Sequence, residues 1–231
     1  MKTAVVTGAS SGIGKAIALR LLELEYRVIG ISRRRCDITH PHFKTLQCDL
    51  CNIQETTALG VKLQQEMQIC ILVNAAGFGV FQPHEELHPS TIEAMLHVNL
   101  TAPILLCNML LKTLKKHAGH IINITSIEAT RSSKFSALYT ASKSGLRAFG
   151  NALFEELRKH DVSVVTINPD MTDTPFFDAL NFETASEPAS RLQSSDIADA
   201  LEQILSMRQG VVVTEITLRS QRFGIRKKTM K

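Results

Sequence analysis

Short apolar runs alternate along the whole chain with longer stretches in which apolar residues recur at helical spacing. The runs are rich in β-branched residues, and uninterrupted runs of this kind are typical of buried strands in a parallel sheet. The pattern predicts strands at Thr3–Thr7, Arg27–Ser32, 43–48, Ile69–Asn74, 119–126, 162–168 and 211–218.

Five of the intervening stretches have the 3.6-residue period of an amphipathic helix. In the first stretch, Ile13, Ile17, Leu21 and Leu24 share one face. Two further stretches begin with a capping box, Asn52-Ile53-Gln54-Glu55 and Ser90-Thr91-Ile92-Glu93. The predicted helices are 13–24, 53 to about Met67, 90–116 with Pro103 as a candidate kink, 138–160 and 195–207.

Strands that alternate with helices form a parallel sheet covered on both faces. We therefore predict one α/β domain over residues 1–231, with a doubly wound parallel sheet of about seven strands. Only residues 33–42 separate the second and third strands, whereas a parallel crossover usually needs a dozen or more residues. We predict that the helix between these strands is missing or reduced to a turn.

The composition fits one globular domain, because the 231 residues are 44% hydrophobic and 21% charged. It argues against a disordered chain, a collagen and a disulfide scaffold. The apolar runs are shorter than the ~20 residues of a membrane span, and the first residues do not resemble a signal peptide. With five cysteines, an odd number, we expect a cytoplasmic protein that has no membrane partner.

The net charge of +4 is a property of the C-terminal tail, which we define as residues 219–231. The tail contains six basic residues and no acid, and the rest of the chain has 20 basic and 22 acidic residues. A nucleic-acid-binding protein more often carries a basic face across its fold. We therefore expect a solvated or partner-facing tail and no nucleic-acid partner.

A glycine-rich segment, Thr7-Gly8-Ala9-Ser10-Ser11-Gly12-Ile13-Gly14, joins the first predicted strand to the first predicted helix. Gly8 can adopt positive φ, Gly12 permits close approach of a pyrophosphate, and Gly14 permits close packing of the helix on the sheet. The helix N-terminus offers free N–H groups to an anion. The context favours a dinucleotide site over a plain tight turn.

The second predicted strand ends in Ser32-Arg33-Arg34-Arg35, where a protein that binds NAD would carry an acidic residue. A hydroxyl and a guanidinium suit a 2′-phosphate, and Lys15 adds charge. We expect NADP(H) as the cofactor in preference to NAD(H). The alternative is that these arginines form a solvated surface cluster.

Asp49 follows the third predicted strand and is placed to accept a hydrogen bond from an adenine amino group, with Leu50 supplying a backbone N–H. Cys48 and Cys51 flank Asp49 at C-x-x-C spacing. A single such pair is weak evidence for a metal. We interpret both as reduced structural cysteines and expect no metal.

Tyr139 and Lys143 lie four residues apart at the start of a predicted helix and therefore share a face. A phenol titrates near pH ~10, too high for acid–base work at neutrality. A nearby ammonium favours the phenolate and lowers the pKa. The pair is then a proton donor and acceptor close to working pH.

Further polar residues stand at the carboxyl ends of predicted strands, where open parallel sheets bind ligands. Ser126 ends the fifth strand and is suited to hold a carbonyl oxygen as charge develops on it. Asn74-Ala75-Ala76-Gly77 closes the fourth strand. Asn99 lies inside a long predicted helix, an unusual place for a residue of poor helix propensity.

Together, TGASSGIG, N-A-A-G, Asn99, Ser126 and Y-T-A-S-K resemble the short-chain dehydrogenase/reductase family, in order and over essentially the whole chain. The resemblance implies a Rossmann-type sheet of order 3-2-1-4-5-6-7 and hydride transfer between a nicotinamide and a carbonyl or secondary alcohol. It implies Tyr139 as proton donor and acceptor, Ser126 as carbonyl orienter, Lys143 as ribose ligand and modulator of Tyr139, and Asn99 as holder of a relay water. The implied cofactor-binding residues are Gly8, Ser10, Ser11, Gly12, Ile13, Gly14, Ser32, Arg33, Asp49, Leu50, Asn74, Ala75, Ala76, Gly77, Tyr139, Lys143, Pro169, Thr172 and Thr174.

The chain departs from the family pattern at three points. Ala75 replaces the second Asn of Asn-Asn-Ala-Gly, and Pro169-Asp170 replaces Pro-Gly after the sixth strand. Asp170 lacks the positive-φ freedom of glycine, and its carboxylate would disfavour an acidic substrate. The helix between the second and third strands is the third departure. None of these changes removes a proton-transfer group.

Residues 176–194 resemble by position the family's substrate lid, which closes over the nicotinamide. We expect Phe176 and Phe177 on one wall of an apolar substrate pocket and Phe78, Val80 and Phe81 on the opposite wall. A mobile surface loop is the alternative. The long helices from Ser90 and Leu138 imply, by the same resemblance, a homodimer or homotetramer.

Two functions remain in competition on the sequence. The first is an NADP-dependent carbonyl reductase or alcohol dehydrogenase. The second is a non-enzymatic NADPH-binding sensor or regulatory protein that retains the fold. The complete set of Ser126, Tyr139, Lys143 and Asn99 favours the enzyme, because a sensor needs no proton donor.

Overall fold

A computed structural model of the protein describes residues 1–66 and 68–228. Met67, at the predicted end of the second helix, and Lys231, the last basic residue of the tail, lie outside the described residues, as do Thr229 and Met230.

Strands and helices alternate as the pattern predicts. The strands are β1 (Thr3–Thr7), β2 (Arg27–Ser32), β3 (Phe43–Gln47), β4 (Ile69–Asn74), β5 (His120–Ile124), β6 (Ser163–Pro169), β7 (Thr172–Asp173), β8 (Phe182–Thr184), β9 (Leu192–Gln193), β10 (Glu215–Leu218) and β11 (Ile225–Lys227). The α-helices are α1 (Gly12–Glu23), α2 (Ile53–Gln64), α3 (Pro89–Leu96), α4 (Ala102–Lys116), α5 (Ala137–Leu157) and α6 (Ser194–Leu205).

The central sheet has seven strands in the order β3-β2-β1-β4-β5-β6-β10, and every pairing in it is parallel. The predicted doubly wound sheet and its order 3-2-1-4-5-6-7 are confirmed, the seventh position being taken by β10. The reversal of direction between β1 and β4 leaves a crevice at the carboxyl ends of these strands, where such sheets bind ligands.

Two apolar cores cover the faces of the sheet. One contains the buried faces of α1 and α6, including Ile17, Leu21 and Leu201. The other contains those of α2, α4 and α5, including Leu63 and Leu110. Helices on both faces explain why central strands such as β1 and β4 are fully buried and mostly apolar, since neither face of these strands meets water.

No helix is present in residues 33–42, all of which the structure describes, so the predicted loss of this crossover helix is confirmed. The side chain of Phe43 covers the sheet in its place. A Cβ on Gly30 would come within 2.6 Å of the Phe43 ring, which shows that the ring packs directly on the backbone of β2. Cys36 and Ile38 join the same core.

The two predicted capping boxes have different outcomes. Asn52 caps α2 by accepting from the N–H groups of Gln54 and Glu55, but the Glu55 carboxylate accepts from the Asp49 N–H at 2.9 Å instead of from Asn52. The predicted capping box at Ser90 does not form. The cap of α3 is His88, whose Nδ1 accepts from the Ser90 N–H, and the helix begins at Pro89, which favours a first helical turn.

The third predicted helix is interrupted. Between α3 and α4, residues His97–Thr101 form one turn of π-helix, and Pro103 lies in the first turn of α4. By length and mean hydropathy the region Pro89–Lys116 is long and apolar enough to cross a membrane, contrary to expectation, with 44% of its apolar window buried. A core helix of a globular protein meets the same criteria, and here Leu106, Leu110 and Leu114 pack inside the second core.

The end of the chain differs most from the prediction. The last strand of the central sheet begins at Glu215, four residues later than expected, and the tail forms a strand of its own. That strand, β11, pairs antiparallel with β8, which lies in the segment assigned to the lid. The described part of the tail is thus an ordered strand, and most of its side chains are exposed to solvent.

Candidate active site

The glycine-rich segment forms an open cradle between β1 and α1. Gly8 and Gly12 have positive φ, of 72° and 53°. A Cβ on Gly14 would lie 2.4 Å from the Gly8 carbonyl oxygen, so only glycine lets α1 pack this closely. No side chain of the described residues caps the N-terminus of α1, which leaves its first N–H groups available to an anion.

A cavity of about 380 Å³ opens from this cradle along the carboxyl ends of the strands. It brings together most of the residues predicted to bind a cofactor. Those that line it are Gly8, Ser10, Ser11, Gly12, Ile13, Gly14, Ser32, Arg33, Asp49, Leu50, Ala75, Ala76, Gly77 and Thr174. An elongated, glycine-walled cavity at a helix N-terminus fits a dinucleotide.

The residues expected at the ribose 2′ position are partly engaged with one another. The Ser32 hydroxyl donates to the Arg34 carbonyl. The Lys15 ammonium pairs with Asp37 at 2.9 Å and is thus not an uncompensated charge at the cavity. Arg33 lines the cavity, and no ion pair holds it within the described residues. Arg34 also lines the cavity and has no ion pair among the described residues, so both guanidinium charges are available to a phosphate.

The other end of the predicted cofactor set lies beside a second cavity. Asn74 is buried below the first cavity, and its amide donates to the Asn123 Oδ1 at 2.9 Å. The segment after β6 carries Pro169 and Thr172, which face the second cavity, and Thr174, which lines both. Thr174 therefore marks the junction of the two cavities.

Tyr139 and Lys143 are both buried on α5, and the Lys143 ammonium lies 5.9 Å from the centroid of the Tyr139 ring. The ammonium donates to the Ile124 carbonyl at the end of β5, 3.0 Å away. The Ser126 hydroxyl is close enough to the Tyr139 phenol to lower its pKa, and both residues line the same cavity. The helix period brings Tyr139 and Lys143 together, and the end of β5 brings Ser126 to them.

The pKa values of this pair differ from the prediction. Burial raises the pKa of the Tyr139 phenol above its usual value, the Ser126 hydrogen bond opposes this rise, and the negative charge of Glu128 adds to it. Burial lowers the pKa of Lys143 to about 8. The pKa of the phenol is raised instead of lowered, because desolvation of the buried phenolate is the largest cause and Lys143 is not among the causes of the shift.

Asn99 occupies the π-helical turn, in place of the regular helix that was expected. Its Oδ1 accepts from the Phe78 N–H at 3.1 Å, and its Nδ2 donates to the Phe78 carbonyl and to the Ser142 hydroxyl. A Cβ on Gly77 would lie 3.1 Å from the Lys143 ammonium and 3.2 Å from the Asn99 Oδ1. Asn99 therefore fixes the loop after β4 beside Lys143.

The second cavity, about 690 Å³, is called here the substrate pocket. Its lining includes Ser126 and Tyr139 and the rings of Phe81, Phe135, Phe176, Phe177 and Phe182. Phe176 and Phe177 line it, as does Phe81 from the expected opposite wall, whereas Phe78 lines the glycine-walled cavity. The rings of Phe81 and Phe176 lie 5.2 and 5.9 Å from that of Tyr139.

Residues of the tail form part of the wall of this pocket, which the sequence pattern does not predict. Ile225 and Lys227 of β11, and Lys228 after it, are part of the lining. Arg226 pairs with Glu183 of β8, with 2.8 Å between Nε and Oε1. The sequence does show acidic residues in the lid and basic residues in the tail, which is weak evidence for contact between them. It does not show that two strands 40 residues apart pair with each other.

Asp170 does not present an unpaired carboxylate. It is buried, accepts from the Met171 N–H at 2.8 Å, and pairs with Arg219 at 3.2 Å. Its φ is not positive, so the backbone here does not need the glycine of the family pattern. The expected bias against an acidic substrate therefore loses its basis.

Glu128 is a site residue that sequence reasoning missed. Its buried carboxylate accepts from Arg131 Nε, the Ser133 N–H, and the hydroxyls of Ser133, Ser136 and Thr140, at 2.7 to 3.3 Å. These bonds tie the loop after β5, which carries Ser126, to the start of α5, which carries Tyr139. The cluster of Ser and Thr around one acid was the available signal.

We expect Glu128→Gln to destabilise the protein by about 1–3 kcal/mol, because the amide nitrogen replaces one of the two acceptors that these donors need. Removing the charge also lowers the pKa of Tyr139. Urea unfolding measures the first effect and the pH profile of turnover the second. Glu156→Gln, an exposed change on α5, is the control and should stay within about 0.5 kcal/mol of wild type. An unaltered free energy of unfolding for Glu128→Gln would contradict the role assigned to this carboxylate.

A Rossmann sheet whose glycine-walled cavity adjoins a Ser, Tyr and Lys cluster is the arrangement of a dinucleotide-dependent oxidoreductase. Comparison with known proteins makes this specific. The family model described as short chain dehydrogenase matches residues 2–184, and the chain belongs to this family of oxidoreductases.

Relatives and solved structures agree with this assignment. An uncharacterized oxidoreductase of Staphylococcus saprophyticus is 36% identical over 230 residues, covering 94% of this chain and 97% of the relative. An alcohol dehydrogenase from Thermococcus sibiricus, complexed with 5-hydroxy-NADP, is 25% identical with a TM-score of 0.86 and covers 97% and 99% of the two chains. A 4-hydroxyisoleucine dehydrogenase complexed with NADH has a TM-score of 0.85 at 24% identity, covers 95% and 98%, and is similar in fold alone.

Among the described residues, no group of three or more His, Cys, Asp or Glu side chains is placed to hold a metal ion. Cys48 and Cys51 are free thiols, and burial is the main cause that raises the pKa of each.

Proposed function

We propose that the protein is an NADP-dependent oxidoreductase that transfers a hydride between the nicotinamide and a carbonyl or secondary alcohol, with Tyr139 as proton donor and acceptor. The observation that carries the proposal is that Ser126 and Tyr139 line the same substrate pocket, which shares Thr174 with the glycine-walled cavity. When bound, the nicotinamide supplies or accepts the hydride.

The protein's own groups manage the oxygen and its proton. In the reducing direction, the Ser126 and Tyr139 hydroxyls donate to the carbonyl oxygen and stabilise the negative charge that develops there. The Tyr139 phenol then transfers its proton to that oxygen, and an alcohol results. Oxidation of an alcohol reverses these steps, with the phenolate as the base. Lys143 holds a positive charge near the phenolate when it is protonated.

The surrounding residues exclude water and fix this geometry. Asn99 holds the loop that contacts Lys143, and Glu128 joins the loop of Ser126 to α5. The aromatic walls leave an apolar space above the two hydroxyls. A carbonyl compound with an apolar body is the substrate class that this space fits.

A screen of NADPH oxidation against ketones, aldehydes and quinones tests the proposal. We expect turnover of at least one class at neutral pH. If the protein binds NADPH and reduces none of them, the competing function of a non-enzymatic NADPH sensor is favoured.

For the cofactor, the proposal of NADP(H) rests on Arg33, whose guanidinium lines the cavity without an acidic partner among the residues described. We expect Arg33→Ser to lower kcat/KM for NADPH by about ten- to hundredfold, as the loss of a hydrogen-bonded charge contact should. The value for NADH should stay within about twofold. Arg158→Ser, an exposed change at the end of α5, is the control. Equal losses with both cofactors would refute the assignment.

A further inference from the structure

The substrate pocket has an uneven distribution of charge. The rings of Phe81 and Phe176 lie near Tyr139, and six charged side chains of the described residues also line the pocket. These are Glu128, Arg131, Lys134, Asp170, Lys227 and Lys228. The balance among them determines which polar group a substrate can carry into the pocket.

Both acids are compensated by cations of their own. Glu128 pairs with Arg131 at 3.1 Å, and four further hydrogen bonds from Ser and Thr groups saturate its oxygens. Asp170 pairs with Arg219, and its side chain is only 3% exposed. Neither carboxylate is therefore available to the remaining cations of the pocket.

The three lysines have no such partner. No acid among the described residues lies within ion-pair distance of Lys134, Lys227 or Lys228. The Lys228 ammonium donates to the backbone carbonyls of Phe177 and Asp178, which are neutral groups. The Lys134 ammonium lies 4.8 Å from the ring centroid of Phe135. The rim of the pocket is thus cationic without compensation.

The tail holds two of these lysines at the pocket through specific contacts. Lys227 pairs with Phe182 in the β11–β8 register, and the Lys228 N–H donates to the Asn181 carbonyl at 2.9 Å. A Cβ on Gly224 would come within 2.7 Å of Ala185, so the tail approaches the lid as closely as glycine allows. The backbone pairing between β11 and β8 therefore fixes the positions of Lys227 and Lys228 at the pocket.

We propose that the substrate is a carbonyl or hydroxy compound with an apolar body and a carboxylate, and that the carboxylate binds at the rim formed by Lys134, Lys227 and Lys228. This inference rests on the proposed function and names its substrate class. Long-range attraction to three uncompensated ammonium groups favours entry of an anion, and the aromatic walls take up the methylene chain.

The test compares acids with neutral esters of the same skeleton. Straight-chain oxoheptanoates with the ketone at carbon 2, 3, 4, 5 or 6 are assayed with NADPH beside their methyl esters. We expect one or two positions of the ketone to give kcat/KM about tenfold above the ester, which is the size of two or three exposed ion pairs. The ratio should shrink at 1 M NaCl, because salt screens exposed charges.

Substitutions separate the rim from the rest of the protein. Lys227→Gln and Lys134→Gln should each lower kcat/KM for the acid by about threefold, and the double variant by about tenfold, with the ester within about twofold of wild type. Lys159→Gln, an exposed change in the turn after α5, is the matched control. Affinity for NADPH should be unchanged in every variant, whereas a loss of NADPH affinity in Lys227→Gln would place the anion on the cofactor and overturn the inference.

A binding measurement makes the result independent of turnover. In the presence of NADP⁺, hexanoate should raise the melting temperature of the wild type more than hexanamide does, and the double variant should lose this difference. Equal reduction of acids and esters, with equal shifts from the two probes, would overturn the inference and leave the proposed function intact. If neither acids nor esters are reduced, the proposed function fails, and the two melting-temperature shifts still decide the inference.

Discussion

Replacing Tyr139 with phenylalanine is expected to lower kcat by about 10²–10⁴, the contribution of a positioned acid or base. The ring stays, with its contacts to Phe81 and Phe176, and only the hydroxyl near Ser126 is removed. Because the substitution leaves the glycine-walled cavity intact, the dissociation constant for NADPH should stay within about twofold. Steady-state kinetics on a substrate from the screen and fluorescence titration of NADPH measure the two effects.

The sequence offers a matched control for this change. Tyr26 is the other of the two tyrosines, and it lies between α1 and β2, far from the carboxyl ends of the strands. Tyr26→Phe should leave kcat unchanged. If Tyr139→Phe kept more than about a tenth of the wild-type kcat, proton transfer would have to be assigned to another group.

Gly14→Ala is expected to have the second large effect. The added methyl group would lie 2.4 Å from the Gly8 carbonyl oxygen and 2.7 Å from its carbon, both backbone atoms that cannot rotate away. The N-terminus of α1 must then move off the strand. Overpacking of this kind costs about 1–3 kcal/mol. Misdirected N–H groups should weaken NADPH binding roughly ten- to hundredfold.

Gly145→Ala is the control for this substitution. Its methyl group would meet the end of the Leu100 side chain at 3.2 Å, a contact that a small rotation relieves, and alanine favours the helix. Stability should not fall, and NADPH affinity should not change. Wild-type affinity in Gly14→Ala would show that the cradle is not the phosphate site.

Much of the architecture follows from local pattern. The predicted bounds of β1, β2 and β4 match the structure residue for residue, because buried parallel strands must be apolar on both faces. The absence of a helix between β2 and β3 follows from the small number of residues between these strands. Helix starts were harder to predict, since a histidine at position 88 accepts the same hydrogen bond as a serine cap.

In the candidate site, too, the contacts between residues close in sequence were predictable and the contacts between distant residues were not. Tyr139 and Lys143 are joined by helix period, so sequence spacing brings them together. Their pKa values depend on burial by residues from other elements, and here the prediction was wrong in direction. The roles of Glu128 and of the tail were missed because they depend on contacts between distant residues or between packed loops. Such contacts leave no periodic pattern in a single sequence.

The tail strand also bears on how relatives should be compared. The matched family region ends at residue 184, whereas β11 lies beyond it and supplies part of the pocket wall. We therefore expect that relatives with the proton-transfer groups proposed here differ in the compounds that they accept. Grafting residues 219–228 of this chain onto a relative, together with the facing lid, should then transfer selectivity and leave the nucleotide site unchanged.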